Sequence, residues 1–138
     1  MERYIGIDVH ASSSTCCVLK ASGKQLRRDV VETNGAALIG YLKQIAGNLH
    51  VCIEETEWSQ WLVEILTPHV AEIVIVRKPW RPGAKNDALD AHDLAEQICT
   101  GRFECRVYND PKRFTALRDL ARAYMMVTRD RARTKNRI

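Results

Sequence analysis

The sequence predicts an α/β fold: a mixed sheet of three antiparallel strands followed by alternating helices and strands, plus a C-terminal helix. In the first third of the chain, apolar, β-branched runs are separated by short polar turns, which indicates a meander of strands. Later segments carry apolar residues at helical spacing between further β-branched runs. The 138 residues are 46% hydrophobic and 28% charged, a composition typical of a globular chain with a moderate core.

The three predicted antiparallel strands cover residues 4–10, 15–20 and 25–33. The first contains one acid, Asp8, near its end. Residues 21–24, Ala-Ser-Gly-Lys, have the composition of a hairpin turn between the second and third strands. The meander therefore brings Asp8 to one edge of the sheet.

A helix is predicted after Asn34, whose side chain suits an N-cap. The next strand covers residues 49–53 and is followed at once by Glu54 and Glu55. Thr56 can cap a further helix, and residues 71–76 are apolar enough for a strand covered on both faces. The expected buried positions of the two helices are Leu38, Tyr41, Leu42 and Ile45 in the first and Trp58, Trp61, Leu62, Ile65 and Leu66 in the second.

The stretch of residues 85–95 leads into the last predicted helix of the sheet region and places three carboxylates at three-residue spacing. Asp87 and Asp90 lie at i and i+3 and can share a cation, because two like charges held together favour a bound ion or proton. The alternative is an acidic first turn, capped by Asn86, that complements the helix dipole. The expected buried residues are Leu89, Leu94, Ala95 and Ile98.

Four acids would converge if the first and fourth strands are neighbours in the sheet. Asp8 and Glu54 would then project from adjacent strand ends toward the helix of Asp87 and Asp90. Their mutual repulsion would be costly without a cation. Carboxylate oxygens favour Mg²⁺ or Mn²⁺, and two such ions can clamp both oxygens of a phosphoryl transfer.

The motifs G-I-D-V-H, I-E-E-T and K-N-D-A-L-D-A-H-D-L-A, in this order, resemble the bacterial insertion-sequence transposases of the one-ten type, relatives of the Piv/MooV DNA invertases. The resemblance covers roughly residues 4–138. It implies a RuvC-like domain with the ribonuclease H fold at residues 1–110. It also implies that the catalytic, metal-binding tetrad is Asp8, Glu54, Asp87 and Asp90.

Glu55 is an alternative ligand to Glu54, because family members usually have small residues where this chain has Glu55 and Glu57. Strand alternation turns consecutive side chains in opposite directions, so only one of the pair can point into the site. The motif register favours Glu54.

Charge is distributed unevenly: residues 1–100 carry a net −3 and residues 101–138 a net +7. A basic segment on an acidic body suggests a polyanionic partner, although a solvated helix face has the same signature. Residues 77–85 form a basic loop with an aromatic side chain, which can hold a phosphate backbone and stack a base. The predicted nucleic-acid-binding residues are Arg77, Lys78, Trp80, Arg81 and Lys85 in the loop and Arg129, Arg133 and Arg137 in the tail.

Residues 111–138 are predicted to form one basic helix, the start of a coiled-coil or linker region. Its apolar residues Leu117, Leu120, Tyr124 and Val127 follow the spacing of a coiled-coil seam. The resemblance implies that this region leads to a second domain with a serine nucleophile. The chain is therefore expected to be a fragment, inactive or weak alone. The resemblance also implies three kinds of partner: DNA, a structured guide (bridge) RNA and further copies of the same chain in a homo-oligomer.

No apolar run approaches a membrane span and no signal segment opens the chain, so a cytoplasmic protein is expected. The serines at positions 12–14 have no neighbouring base signature and are disfavoured as nucleophiles. The odd number of cysteines suggests small core residues rather than disulfides: Cys16, Cys17, Cys52, Cys99 and Cys105.

Two other function classes are compatible with the sequence. A Holliday-junction resolvase-like nuclease would share the fold and be complete in itself. An actin-like or sugar-kinase-type ATPase is suggested by residues 5–15, which resemble a phosphate-binding hairpin but lack its glycine near Val9 and His10.

Overall fold

The computed structural model describes residues 1–77, 91–107 and 115–135. Six strands form one mixed sheet in the order β3-β2-β1-β4-β5-β6. The first and fourth strands are neighbours and run parallel, which meets the condition for convergence of the acids, and the fifth is parallel to the fourth. The strands are β1 (Glu2–Val9), β2 (Ser13–Lys20), β3 (Gln25–Glu32), β4 (Asn48–Glu54), β5 (Glu72–Val76) and β6 (Arg106–Val107).

The described residues form four α-helices: α1 (Gly35–Lys43), α2 (Ser59–Leu66), α3 (Ala91–Thr100) and α4 (Thr115–Lys135). The predicted cap of α1 is confirmed, because the Asn34 side chain accepts a hydrogen bond from the Ala37 amide at 2.8 Å.

The start of α2 differs from the prediction. Trp58, not Thr56, occupies the N-cap position and makes no side-chain capping bond. The Thr56 hydroxyl instead accepts from the Trp58 amide at 3.2 Å, and the Ser59 hydroxyl accepts from the Thr56 amide at 2.7 Å. These bonds form a polar turn before the helix. The buried stripe then centres on Leu62 and Leu66, which leaves Trp61 at its margin with 38% of its surface exposed.

Helices cover the sheet on both faces. One face packs against α1 and α2 through Ile5, Ile7, Val51, Ile53, Leu38, Leu42, Leu62 and Leu66. The opposite face packs against α3 through Cys52, Val74, Val76, Leu94 and Ile98. The predicted burial of Leu94, Ala95 and Ile98 is confirmed, whereas Leu89 lies outside the described residues.

The cysteines divide into two groups. Cys16, Cys17 and Cys52 are fully buried, and burial raises the pKa of the Cys16 and Cys52 thiols to about 12. Cys99 is half-buried. Cys105 is exposed, so the core prediction is wrong there. It lies in the turn before β6, where its carbonyl accepts from the Arg77 amide at 2.8 Å and its side chain has no core to enter.

The chain divides into two compact units, Met1–Tyr108 and Asn109–Ile138. In the described part of the second unit, α4 exposes Leu117, Leu120, Tyr124 and Val127, each by 63–70%. Pro111, the predicted start of this helix, lies outside the described residues. None of the helices in residues 1–77, 91–107 and 115–135 has the length and hydrophobicity to cross a membrane.

Candidate metal centre

Asp8 and Glu54 lie side by side at the carboxyl ends of two parallel strands. Ile7 pairs with Ile53 in the β1–β4 ladder, and Asp8 and Glu54 are the next residues on each strand. The carboxyl ends of β1, β4 and β5 share one edge of the sheet. The two acids are thus brought together by backbone pairing rather than by a flexible loop.

Both acids face the side of the sheet that α3 covers. Ile7 and Ile53 belong to the core under α1 and α2, whereas Cys52 packs against the α3 side. Since side chains alternate along a strand, Asp8 and Glu54 share the α3 face. Asp8 keeps only 16% of its side-chain surface exposed, and Glu54 is half-buried.

The first turns of α3 lie directly on β1 beside Asp8. A Cβ atom on Gly6 would meet the Ala91 carbonyl oxygen at 2.0 Å and the Ala95 nitrogen at 2.5 Å. Only glycine permits this approach. Asp87 and Asp90 lie outside the described residues, and Asp90 immediately precedes α3 in the sequence.

Among the described residues, His10 is in polar contact with Asp8. The Nε2 atom of His10 lies 3.1 Å from Oδ2 of Asp8, and the imidazole is largely exposed. The pair occurs at i and i+2 near the end of β1. Sequence reasoning missed His10, although two-residue spacing in a strand was the available signal.

Glu55 occupies a different environment from Glu54. Both of its carboxylate oxygens accept hydrogen bonds from the Arg77 guanidinium, from Nη2 at 3.0 Å and from Nε. Its amide donates to the Val76 carbonyl at 2.7 Å, which extends the sheet by one rung. The hydrogen bonds to Glu55 raise the pKa of Arg77. Arg77 is thus engaged by a carboxylate, while Lys78, Trp80, Arg81 and Lys85 of the predicted loop lie outside the described residues.

A second group of ligand-type side chains lies on α3. Ligand atoms of His92, Asp93 and Glu96 come within 4.8 Å of one another. Asp93 and Glu96 are exposed, and such groups often occur without an ion. The i, i+1, i+4 spacing was a readable signal for this cluster, which sequence reasoning did not single out.

The remaining predicted positions lie in β2 and in the C-terminal region. Ser14 belongs to β2, is fully buried and pairs with the Thr33 hydroxyl at 2.8 Å. Arg129 and Arg133 are exposed on α4, with Arg133 Nη1 3.8 Å from Asp130 Oδ1. Arg137 lies outside the described residues.

The mixed sheet, with helices on both faces and acids at the carboxyl ends of its central strands, defines a ribonuclease H-like domain. The family model of the DEDD transposase domain of the IS110 type, described as a transposase, matches residues 5–138. The chain belongs to this transposase family, whose substrate is DNA. A comparison with curated proteins found no match.

Proposed function

We propose that Asp8, Glu54, Asp87 and Asp90 hold Mg²⁺ or Mn²⁺ for the cleavage and transfer of DNA strands. The observation that supports this most strongly is the β1–β4 register, because it sets Asp8 beside Glu54 on the face covered by α3. Asp87 and Asp90 enter the proposal from the family motif and from their position just before α3 in the sequence.

The donor set suits a hard divalent cation. Asp8 and Glu54 supply carboxylate oxygens from neighbouring strands, and both side chains are partly shielded from water. Like charges at this spacing repel each other, and a cation relieves that repulsion. Mg²⁺ and Mn²⁺ prefer oxygen ligands of this kind.

The ions, when bound, supply charge stabilisation for the attacking and leaving oxygens of a phosphodiester. The chain contributes a rigid ligand frame, because β1 and β4 fix Asp8 and Glu54 through backbone hydrogen bonds. The family resemblance adds a serine nucleophile from a further domain. We therefore expect residues 1–138 alone to bind metal but to cleave DNA weakly and without covalent adducts.

Glu54 rather than Glu55 is the proposed ligand. Glu54 shares the α3 face with Asp8, whereas Glu55 follows Ile53 toward the opposite face and bonds with both oxygens to Arg77.

Nucleic-acid binding is proposed for the basic residues of segment 77–85 and of the C-terminal tail. DNA is the expected substrate, and a structured guide RNA is the further partner that the resemblance implies. The exposed apolar seam of α4 suits self-association of two copies. The proposed DNA-binding residues are Arg77, Lys78, Trp80, Arg81 and Lys85 in the basic segment 77–85 of the sequence and Arg129, Arg133 and Arg137 in the tail.

A Mn²⁺ titration of the purified chain, followed by the electron paramagnetic resonance signal of free Mn²⁺, tests the ligand assignment. We expect Asp8→Asn, Glu54→Gln, Asp87→Asn and Asp90→Asn each to abolish tight binding. Glu55→Gln is the matched control for Glu54, and Asp93→Asn and Glu96→Gln test the rival cluster on α3. Loss of binding in these controls, with binding kept in the tetrad variants, would refute the assignment.

The same variants separate a ligand role from a structural one. Without metal, Asp87→Asn and Asp90→Asn should melt at or above the temperature of the parent chain, because removing one of several crowded acids relieves repulsion. A large fall in melting temperature would indicate a capping or core role instead.

A further inference from the structure

Within the part of the chain that the structure describes, the side chain of His10 is in polar contact with Asp8. Its Nε2 lies 3.1 Å from Asp8 Oδ2. An ionised carboxylate only accepts hydrogen bonds, so Nε2 carries the proton and donates. The bond occupies one oxygen of Asp8 and restricts the rotation of the carboxylate.

The backbone of His10 is fixed from two sides. Its amide donates to the Ser13 carbonyl at 3.1 Å, which closes the turn between β1 and β2. Its carbonyl accepts from the Thr33 hydroxyl at 2.8 Å. The turn is therefore held by one hydrogen bond within it and by a second one to Thr33, which follows β3.

A buried hydroxyl completes this arrangement. Thr33 has a single hydroxyl proton, which it gives to the His10 carbonyl, so Ser14 donates to the Thr33 oxygen at 2.8 Å. Ser14 is fully buried, and the Thr33 amide also donates to the Ser12 carbonyl at 3.1 Å. A chain of hydrogen bonds thus runs from the interior of the sheet to the backbone of His10.

We infer that His10 is a positioning residue for the metal centre: its Nε2–H holds Asp8 Oδ2 so that the carboxylate presents its other oxygen to the cation. The inference rests on the proposed function, in which Asp8 is a ligand. Hydrogen bonds of this kind to ligating carboxylates set their orientation, and their loss typically costs about 10- to 100-fold in metal affinity. The exposed imidazole then serves as a hydrogen-bond donor to Asp8 rather than as a packing residue.

Three substitutions at this position separate a donor from a merely structural side chain. A glutamine side chain carries an amide N–H at about the same distance from the backbone as the Nε2–H of histidine. The asparagine side chain is too short to reach Asp8 in this way, and alanine has no donor. Mn²⁺ affinity of the whole 138-residue chain is the readout, with circular dichroism and thermal melts as the check of folding. His69→Gln, in the 3-10 turn Thr67–His69, is the control for a histidine away from the centre.

We expect His10→Ala and His10→Asn to weaken Mn²⁺ binding by about tenfold, and His10→Gln to stay within about twofold of the parent. His69→Gln should match the parent. If His10→Ala binds Mn²⁺ like the parent while Asp8→Asn does not bind, the positioning role is refuted and the proposed ligand set stands. Equal loss in His10→Gln and His10→Ala would also refute it and make the imidazole itself a ligand. If the parent chain binds no Mn²⁺, the proposed function fails, and the role of His10 fails with it.

Discussion

Gly6 of β1 lies against Ala91 of α3 so closely that a Cβ atom on Gly6 would be 2.0 Å from the Ala91 carbonyl oxygen. The obstacle is backbone rather than the end of a flexible side chain. The amino end of α3 is thereby held against β1 two residues before Asp8, and the absence of a side chain at position 6 sets that distance.

Gly6→Ala should therefore destabilise the fold and weaken Mn²⁺ binding together, because α3 must move away from β1. Overpacking costs about 1–3 kcal/mol of the free energy of unfolding, and contact with backbone places Gly6→Ala at the upper end of that range. Chemical denaturation measures the loss. Gly40→Ala is the matched control, since nothing lies within 4 Å of a Cβ there. It should stabilise α1 by about 0.5–1 kcal/mol. A Gly6→Ala chain as stable as the parent would contradict the close approach.

Thr33→Val should destabilise the turn between β1 and β2. It removes the donor to the His10 carbonyl and leaves the buried Ser14 hydroxyl without its partner. A buried hydroxyl that loses its hydrogen bond costs about 1–3 kcal/mol. Adding Ser14→Ala should recover part of this loss, because the double variant buries no unpaired hydroxyl. A double variant less stable than Thr33→Val alone would contradict this explanation. Thr67→Val, which removes the hydrogen bond of an exposed hydroxyl to the Val63 carbonyl, is the control.

At the amino ends of the parallel strands, His50 of β4 contacts Glu2 of β1 and Glu72 of β5. Its Nε2 lies 2.5 Å from Glu2 Oε2 and its Nδ1 lies 3.2 Å from Glu72 Oε2. The ring stacks on Tyr4 with 5.1 Å between centroids, and Arg106 Nη2 lies 3.8 Å from Glu72 Oε1. Burial by itself would lower the pKa of His50, but the hydrogen bonds to Glu2 and Glu72 outweigh it and raise the pKa above 6.5. Hydrogen bonds from Asn48 and His50 lower the pKa of Glu2 below 4.5.

The sign of the pH dependence follows from these shifts. A raised histidine pKa stabilises the fold fully below 6.5, and this contribution is lost as pH rises through the folded-state pKa. The lowered pKa of Glu2 contributes above 4.5 and is lost as pH falls. We expect the parent chain to lose more stability than His50→Gln when the pH rises from about 6 to about 9. Denaturant melts at both pH values measure this. Parallel losses in the two chains would exclude a charged His50 bridge, and His69→Gln should behave like the parent.

The basic helix should contribute to DNA binding in a salt-dependent way. Replacing Arg129, Arg133 and Arg137 together by glutamine should lower the slope of log affinity against log salt by about 0.9 for each phosphate that these arginines neutralise. Fluorescence anisotropy with labelled duplex DNA at several salt concentrations gives the slope. Arg28→Gln on β3 is the control. An unchanged slope would show that the tail does not bind the phosphate backbone.

The fold was predictable where local sequence carries the signal. Asn34 caps α1 because its side-chain oxygen accepts a hydrogen bond from a backbone amide in the first turn. The apolar runs of β1, β2, β4 and β5 are typical of strands. Two-residue β6 is too short to show alternation, and it exists only because it pairs with β5. Thr56 suggested a cap by residue type alone, yet its hydroxyl serves the turn before α2.

The candidate site was predictable in part, for a similar reason. The sequence made the convergence of Asp8 and Glu54 conditional on β1 and β4 being neighbours, and the β1–β4 ladder meets that condition. The contacts that shape this neighbourhood join residues far apart in the sequence: Gly6 with Ala91, Glu55 with Arg77, and Thr33 with His10. No local pattern specifies such pairs. The roles of Asp87 and Asp90 stay predictions.

Anomalous diffraction from crystals soaked in Mn²⁺ tests the proposed metal centre most directly. We expect an anomalous peak at about 2.1–2.2 Å from carboxylate oxygens of Asp8 and Glu54, with Asp87 or Asp90 completing the ligands, and its loss in Glu54→Gln. A peak at His92, Asp93 and Glu96, with none at Asp8 and Glu54, would contradict the proposed ligand set.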